Sequence, residues 1–273
     1  MLLGIVGSEG VVGSAIKFGF ELLNHEVYIH DTKLETKIED VLDTEIIFIC
    51  VPTPMRTDGS CNTFNVENVI EEIVYACDSM EIPKEKHPII AIKSTVAIGT
   101  TERMSKIHTD FDFCFIPEFL KERSSIIDFV ERQDLCVVGT CCGMVYEKVK
   151  EAHGRLPKKF VQVSPSTAEA VKYANNAFGA MLVTFANSFY ELCQKYDVDY
   201  SEMKNALVNR SFIPDEYLEC GNKWRGYVSP CWDKDLPALV KMCEGTNVEF
   251  FKHIIEENDK YVKMAPDGMR KSY

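Results

Sequence analysis

Seven short apolar runs, separated by turns and helical patterns, fill the first 163 residues and then stop. The runs cover residues 2–6, 26–30, 45–51, 88–93, 112–116, 134–139 and 158–163. Most are β-branched or aromatic and five or six residues long, which is strand length. Helical patterns lie between them, at 11–23, 66–79, 100–108 and 144–152. Strand–helix alternation of this kind predicts an α/β fold with a doubly wound parallel sheet. From Ser164 onward no strand pattern remains. Ser166 or Thr167 can cap a helix with Glu169 in its first turn. No proline interrupts that helix before about Tyr196, so it predicts one long central helix. Further helices fit 201–209, 236–244 and 247–262. Residues 210–233, with Pro214, Gly221, Gly226 and Pro230, read as loop, and 264–273 as a polar frayed tail. The expected organisation is a sheet domain over 1–163 and an all-helical domain over 164–273.

Composition excludes several roles. Lys and Arg number 30 against 42 Asp and Glu, a net charge of −12. Such a chain is poorly suited to neutralise phosphates, so neither nucleic acid nor an anionic membrane is an expected partner. No apolar run reaches the roughly 18 residues of a membrane span. The start, MLLGIVG, carries neither a basic region nor a cleavage site, so no signal peptide is expected. Eleven cysteines, an odd number, read as reduced thiols of a cytoplasmic protein. They form no C-x-x-C pair and have no nearby histidine partner, so no metal site is expected.

The glycine-rich turn Gly7-Ser8-Glu9-Gly10-Val11-Val12-Gly13 follows the first strand directly. Backbone amides in such a turn can approach a pyrophosphate at a helix N-terminus. Relative to G-x-G-x-x-G it holds one inserted residue before Gly10. Asp31 ends the second strand, where a carboxylate receives the ribose hydroxyls of NAD and repels a 2′-phosphate. Pure turn packing is the alternative. Cys50-Val51-Pro52-Thr53-Pro54 and Lys93-Ser94-Thr95-Val96 close two later strands, at the ends where ligands bind. Glu118, in Pro117-Glu118-Phe119-Leu120-Lys121-Glu122, can act as a base or simply occupy a first helical turn. Lys172 and Asn176 share one face of the long helix with Gly179 and Val183, either as the floor of a site or as an exposed polar face. Cys231 lies near Lys234 where a helix opens, which favours the thiolate. Asp235 can be the N-cap before Leu236-Pro237, a proton carrier, or both.

Six segments, VGSEGVVG, FICVPTP, KSTVAIGTT, PEFLKE, AEAVKYANNAF and CWDKDLPAL, come in one order over about residues 1–245. In that order they resemble the UDP-glucose/GDP-mannose dehydrogenase family. The resemblance implies a Rossmann-like NAD-binding domain and an NAD-dependent oxidoreductase acting on CH–OH. It implies oxidation of a nucleotide sugar's primary alcohol to a carboxylate in two hydride transfers. Cys231 resembles the family's nucleophile, and Lys172 and Asn176 the pair that holds the reacting oxygen. Thr95 and Glu118 resemble the residues that position water and handle protons, with Asp235 beside them. NAD contacts are implied for Gly7, Gly10, Val11, Val12, Gly13, Asp31, Val51, Pro52, Thr53, Thr95, Glu122 and Lys234. Substrate contacts are implied for Phe119, Leu120, Lys172, Asn176, Gly226 and Tyr227. Trp224 and Trp232 would lie near this site. The family uses the long helix to dimerise, so a homodimer through residues 166–196 is expected.

The chain departs from the family pattern at several points. Ile116 replaces the Asn before Pro-Glu, and Asp233 replaces a proline. The glycine-rich run before the cysteine reads Gly226-Tyr227-Val228-Ser229-Pro230, and the linker from Asp31 to Glu45 is short. The family's C-terminal nucleotide-sugar domain is expected to be absent. Two other readings fit the same domain order. One is a single-hydride β-hydroxyacid dehydrogenase, a class that needs no Cys231. The other is a non-catalytic relic that keeps only NAD binding.

Overall fold

A computed structural model describes residues 1–222 and 225–265. The chain divides into two compact units. The first comprises Met1–Pro54 and Cys61–Lys172, the second Met55–Ser60 and Tyr173–Tyr273. The division therefore falls inside the long helix, not at residue 163 where the last strand ends.

In the first unit all seven expected strands form: β1 (Leu2–Val6), β2 (Glu26–His30), β3 (Ile46–Ile49), β4 (Ile89–Ile92), β5 (Phe113–Phe115), β6 (Cys136–Gly139) and β7 (Phe160–Val163). Their order in the sheet is β2-β1-β3-β4-β5-β6-β7. Neighbouring β3 residues bury into opposite layers, which explains an apolar run without alternation. Ile47 and Ile49 pack with Ile70 and Ile73 of α2 (Phe64–Ser79) and Met104 of α3 (Thr100–Ile107). Ile46 and Phe48 pack with Ile16 and Phe20 of α1 (Val11–Leu22), Phe129 of α4 (Ser125–Val130) and Val149 of α5 (Gly143–His153).

The sheet is not wholly parallel. β6 pairs antiparallel with β5 through Phe115 and Gly139, and then parallel with β7. Alternation sets the order of elements but not the direction of a strand reached without a full crossover helix. Here the connection holds one 3-10 turn, Glu122–Ser124, and the six-residue α4, which the periodicity also failed to reveal.

His153 closes α5 in the middle of this core, fully buried among the rings of Phe20, Phe48, Phe129 and Phe160. Its Nδ1 donates to the Val149 carbonyl at 2.9 Å, and its Nε2 has no partner among the described residues. Burial, helped by the nearby Lys93 charge, pushes its pKa down to about 3. A depressed histidine lets the unfolded chain bind a proton that the folded chain refuses. The resulting stability is whole above pH 6.5 and drains away as pH falls toward 3. Between pH 7.5 and 5.0 this residue should remove about 2 kcal/mol of stability. Urea denaturation of wild type and His153→Leu at both pH values measures it. Equal pH dependence in the two proteins would refute the assignment.

The second unit is helical. The long helix α6 runs from Pro165 to Lys195 and enters this unit at Tyr173. With it go α7 (Tyr200–Leu207), α8 (Trp232–Met242) and α9 (Phe250–Met264). Ala180 and Val183 of α6 pack with Trp232 and Leu236 of α8 and Ile254 of α9. Ala186, Tyr190 and Cys193 pack with Tyr200 and Leu218. The cap of α6 is Ser164, not Ser166 or Thr167. Its Oγ accepts the Thr167 amide at 3.2 Å, because Pro165 fits the first helical position and starts the helix earlier. Of the expected tail at 264–273, Met264 closes α9 and residues 266–273 lie outside the described residues. No helix among the described residues is long and apolar enough to cross a membrane.

Candidate active site

The glycine turn joins β1 to α1. Gly7 has φ of +87°, and a Cβ there would lie 2.7 Å from the Cys50 carbonyl oxygen. A Cβ on Gly13 would lie 2.1 Å from the Gly7 carbonyl oxygen. Both positions therefore require glycine, for the turn and for close packing of α1 on the strand. Gly10 is the N-cap of α1 and has no such close neighbour. The inserted residue is accommodated by a tie to β2: the Glu9 amide donates to Asp31 Oδ2 at 2.9 Å, and the Lys33 amide to Oδ1 at 2.9 Å.

A cleft of about 400 Å³ opens here, at the C-terminal ends of β1, β2 and β3. The chain leaves β1 toward β2 on one side and returns to β3 on the other, so this is the switch point where open α/β sheets bind ligands. Gly7, Gly10, Asp31, Val51 and Pro52, for which NAD contacts are implied, line the cleft. Val11, Val12, Gly13, Thr53, Thr95, Glu122 and Lys234 do not. His30, Thr32, Lys33, Asn65, Asn68 and Glu72 line it as well, and sequence reasoning missed them. The three α2 residues recur at spacings of three and four, which read as an ordinary solvent face. The features fit a dinucleotide. They are a turn without side chains, a helix N-terminus, a strand-end carboxylate and Ser8, whose buried hydroxyl has no partner among the described residues.

A second set of groups sits at the ends of β4 and β5. Lys93 follows β4, and its side chain is wholly buried. Its Nζ lies 3.0 Å from Glu118 Oε2. Burial opposes the Lys93 charge, yet the attraction of Glu118 leaves its pKa above the ordinary lysine value. Glu118 Oε1 accepts the Phe119 amide at 3.0 Å, and the Glu118 carbonyl accepts Lys172 Nζ. The Phe119 ring lies 5.9 Å from that ammonium. Phe119 and Leu120 are half-buried, while Glu122 is exposed. Thr95 is half-buried, and its carbonyl accepts the Cys61 thiol at 3.4 Å. Glu169 does not serve its own helix. Its carboxylate accepts the Gly99 amide, the Thr101 amide and the Thr101 hydroxyl at 2.5, 2.8 and 2.6 Å, capping α3 and tying down the loop that carries Thr95.

In the helical unit, Asn176 and Asp235 are both buried, and Asn176 Nδ2 donates to Asp235 Oδ2 at 2.7 Å. Lys234 Nζ lies 2.5 Å from Asp235 Oδ1. Asp235 is not the N-cap. α8 begins at Trp232, so Cys231 takes the cap position and Asp235 lies in the first turn. Pro237 suggested a later start, but the segment before the helix is locked by reciprocal bonds. Ser229 Oγ accepts the Trp232 amide at 3.4 Å, and Asp233 Oδ2 accepts the Ser229 amide at 3.1 Å. Cys231 is exposed. Gly226 and Tyr227 are held by buried amides: the Gly226 amide donates to Asn187, and Asn258 bonds both the amide and the carbonyl of Tyr227. The Tyr227 ring packs into the core beside Trp232. Trp224 lies outside the described residues. Among the described residues no group of three or more His, Cys, Asp or Glu could hold a metal ion.

Two family profiles cover most of the chain. The NAD-binding domain of the UDP-glucose/GDP-mannose dehydrogenase family matches residues 5–156, and its central domain matches residues 166–260. The chain belongs to that family. Its first unit thus contains the family's NAD-binding domain. UDP-glucose 6-dehydrogenase AglM of Haloferax volcanii is 26% identical over 322 aligned positions, covering 100% of this chain and 73% of that protein. A UDP-glucose dehydrogenase from Pyrobaculum islandicum superposes with a TM-score of 0.83 at 25% identity, over 95% of this chain and 68% of that one. The 3-hydroxyisobutyrate dehydrogenase of Mycobacterium tuberculosis shares the fold alone, at TM-score 0.70 and 12% identity, over 98% of this chain and 94% of that one. The chain spans about half the length of most of the curated family members it matches.

Proposed function

We propose that this chain carries the catalytic residues of an NAD-dependent nucleotide-sugar dehydrogenase that converts a sugar primary alcohol to a carboxylate. The observation that carries this reading is the opening of α8. There an exposed Cys231 precedes Asp235 by one turn, and Asp235 is bonded to Asn176. A single-hydride oxidation has no need of a thiol at that position. Bound NAD would supply the hydride acceptor, and Gly7, Gly10, Asp31, Val51 and Pro52 are the residues that would hold it.

The remaining chemistry falls to side chains. The alcohol loses a hydride and a proton and becomes an aldehyde. An aldehyde has no second hydride to yield in the same sense until a nucleophile adds to it. The Cys231 thiolate forms a C–S bond to the aldehyde carbon, and its oxygen becomes an oxyanion. Lys172 and Asn176, one turn apart on α6, offer that oxygen a charge and an amide donor. Loss of the second hydride leaves a thioester. Water then breaks the C–S bond, releasing the carboxylate and restoring the thiol, with Thr95, Glu118 and Asp235 as the groups that position water and handle protons. A panel of nucleotide sugars and small hydroxyacids, followed by NADH absorbance, tests the reading. Turnover of a hydroxyacid alone, with one NADH per molecule, would move the chain to the single-hydride class.

Asp31 gives the cofactor preference. A carboxylate at the end of β2 accepts ribose hydroxyls and repels a 2′-phosphate. Calorimetry should show tight NAD and weak NADP binding. Asp31→Ala should weaken NAD about tenfold or more, as expected for hydrogen bonds to a charged group, and narrow the gap. Equal affinity of the wild type for both would refute the role.

The α6 surface points to a twofold homodimer. Phe178, Phe185, Phe189 and Leu192 recur at spacings of seven, four and three, and all four are exposed. They form one stripe, which a second copy of α6 would cover. The paired interface should bury at least about 1,200 Å². Sedimentation velocity at micromolar concentration should return a dimer, and Phe185→Glu a monomer. A wild-type monomer would exclude this assembly.

A further inference from the structure

Lys93 has no part in the scheme above, yet it is the most completely buried ammonium in the NAD-binding unit's strand-end cluster. Its side chain has no exposed surface, and its ion-pair partner among the described residues is Glu118, 3.0 Å away. The Glu118 carboxylate is itself buried and turned inward. One oxygen faces Lys93 and the other accepts the Phe119 amide. A trans peptide is planar, so its N–H and C=O point in opposite directions. Fixing the Phe119 N–H on the carboxylate therefore aims the Glu118 carbonyl the other way, where it receives Lys172 Nζ.

From this geometry we infer that Lys93 is a positioning residue for Lys172, acting through the Glu118 carboxylate and the 118–119 peptide. The inference rests on the proposed role of Lys172 at the reacting oxygen, but the relay itself does not. Removing the Lys93 charge leaves the Glu118 carboxylate buried without its cation. The carboxylate must then protonate or turn toward water, since a lone buried charge is costly. Either change releases the Phe119 amide, and the Lys172 ammonium loses its fixed acceptor. A long lysine side chain freed in this way samples many rotamers instead of one.

Two measurements test the relay. The first needs no turnover: trace acetic anhydride labels lysines, and mass spectrometry reports Lys172 relative to exposed Lys106. Lys172 is 8% exposed. Its labelling should rise about threefold or more in Lys93→Met, while NAD affinity stays within about twofold, because Lys93 does not line the cleft. Should Lys93→Met fail to fold, Lys93→Met/Glu118→Leu removes both buried charges and should show the same rise. The second measurement is kinetic. Lys93→Met should lower the rate of the first hydride transfer, which precedes the hydrolysis assigned to Glu118, about tenfold with little change in KM, yet add nothing to that rate in a Lys172→Ala background, since at this step both changes act on one group. Unchanged Lys172 labelling in a folded variant, or additive loss in the first hydride transfer, would overturn the inference. Absence of turnover by wild type with every nucleotide sugar would instead sink the proposed function and leave the labelling result to decide the relay.

Discussion

Single-turnover oxidation by Cys231→Ser should yield at most one NADH per sugar, where the wild-type chain should yield two. In the proposed mechanism the thiol enters only after the first hydride has left, so the first step survives in part. A serine hydroxyl is a far weaker nucleophile at neutral pH than a thiolate and adds poorly to the aldehyde. The variant should therefore stall with aldehyde or a hemiacetal in place of acid. Rapid-quench counting of NADH per enzyme, with the sugar product identified by mass spectrometry, gives the answer. Two NADH from Cys231→Ser would remove the thiol from the mechanism. One NADH from wild type with release of an aldehyde would place the chain among single-hydride enzymes.

The central strands β3, β4, β5 and β6 were legible because each is buried on both faces and forms a continuous apolar run, and the edge strands β2 and β7 because their β-branched and aromatic residues keep strand length. The direction of β6 was not, because one residue pair, Phe115 with Gly139, decides it. Gly7 and Asp31 were legible because turn, helix, strand and acid come at fixed intervals along the chain. Asn65, Asn68 and Glu72 were not, because a polar helix face that lines a cleft has the same periodicity as one that faces water. Asp235 was read as a possible N-cap, a local role that the structure gives to Cys231. Pro237 looked like a first-turn residue, whereas the bonds among Ser229, Trp232 and Asp233 start α8 four positions earlier. Lys93 was read only as part of a turn. Its partner lies 25 residues away on the next strand's end, and nothing in Lys-Ser-Thr-Val announces a buried ammonium. Glu169 gave a signal of the wrong kind: an acid near a helix start suggests that helix's own dipole, but it caps α3 instead.

Lys172→Ala should slow both hydride steps, by about 10² or more for the loss of one oxyanion contact. The oxygen that must be stabilised is the alkoxide in the first step and the thiohemiacetal oxygen in the second, so one charge serves both. Asn176→Ala should act in the same direction but less, because it removes a neutral donor and not a charge. The two variants should separate on stability. Asn176 Nδ2 is the partner of buried Asp235 Oδ2, and its loss strands that oxygen at a cost of about 1–3 kcal/mol. Lys172 bonds a backbone carbonyl at the edge of its cluster, and alanine there removes the buried ammonium together with its desolvation penalty. Lys172→Ala should therefore lose far more kcat than Tm, and Asn176→Ala should lose both. Measuring each hydride step separately, with the alcohol and then with the aldehyde as substrate, makes the comparison decisive. A Lys172→Ala enzyme slowed only on the aldehyde would confine its charge to the covalent step, and one slowed on neither would remove Lys172 from the chemistry.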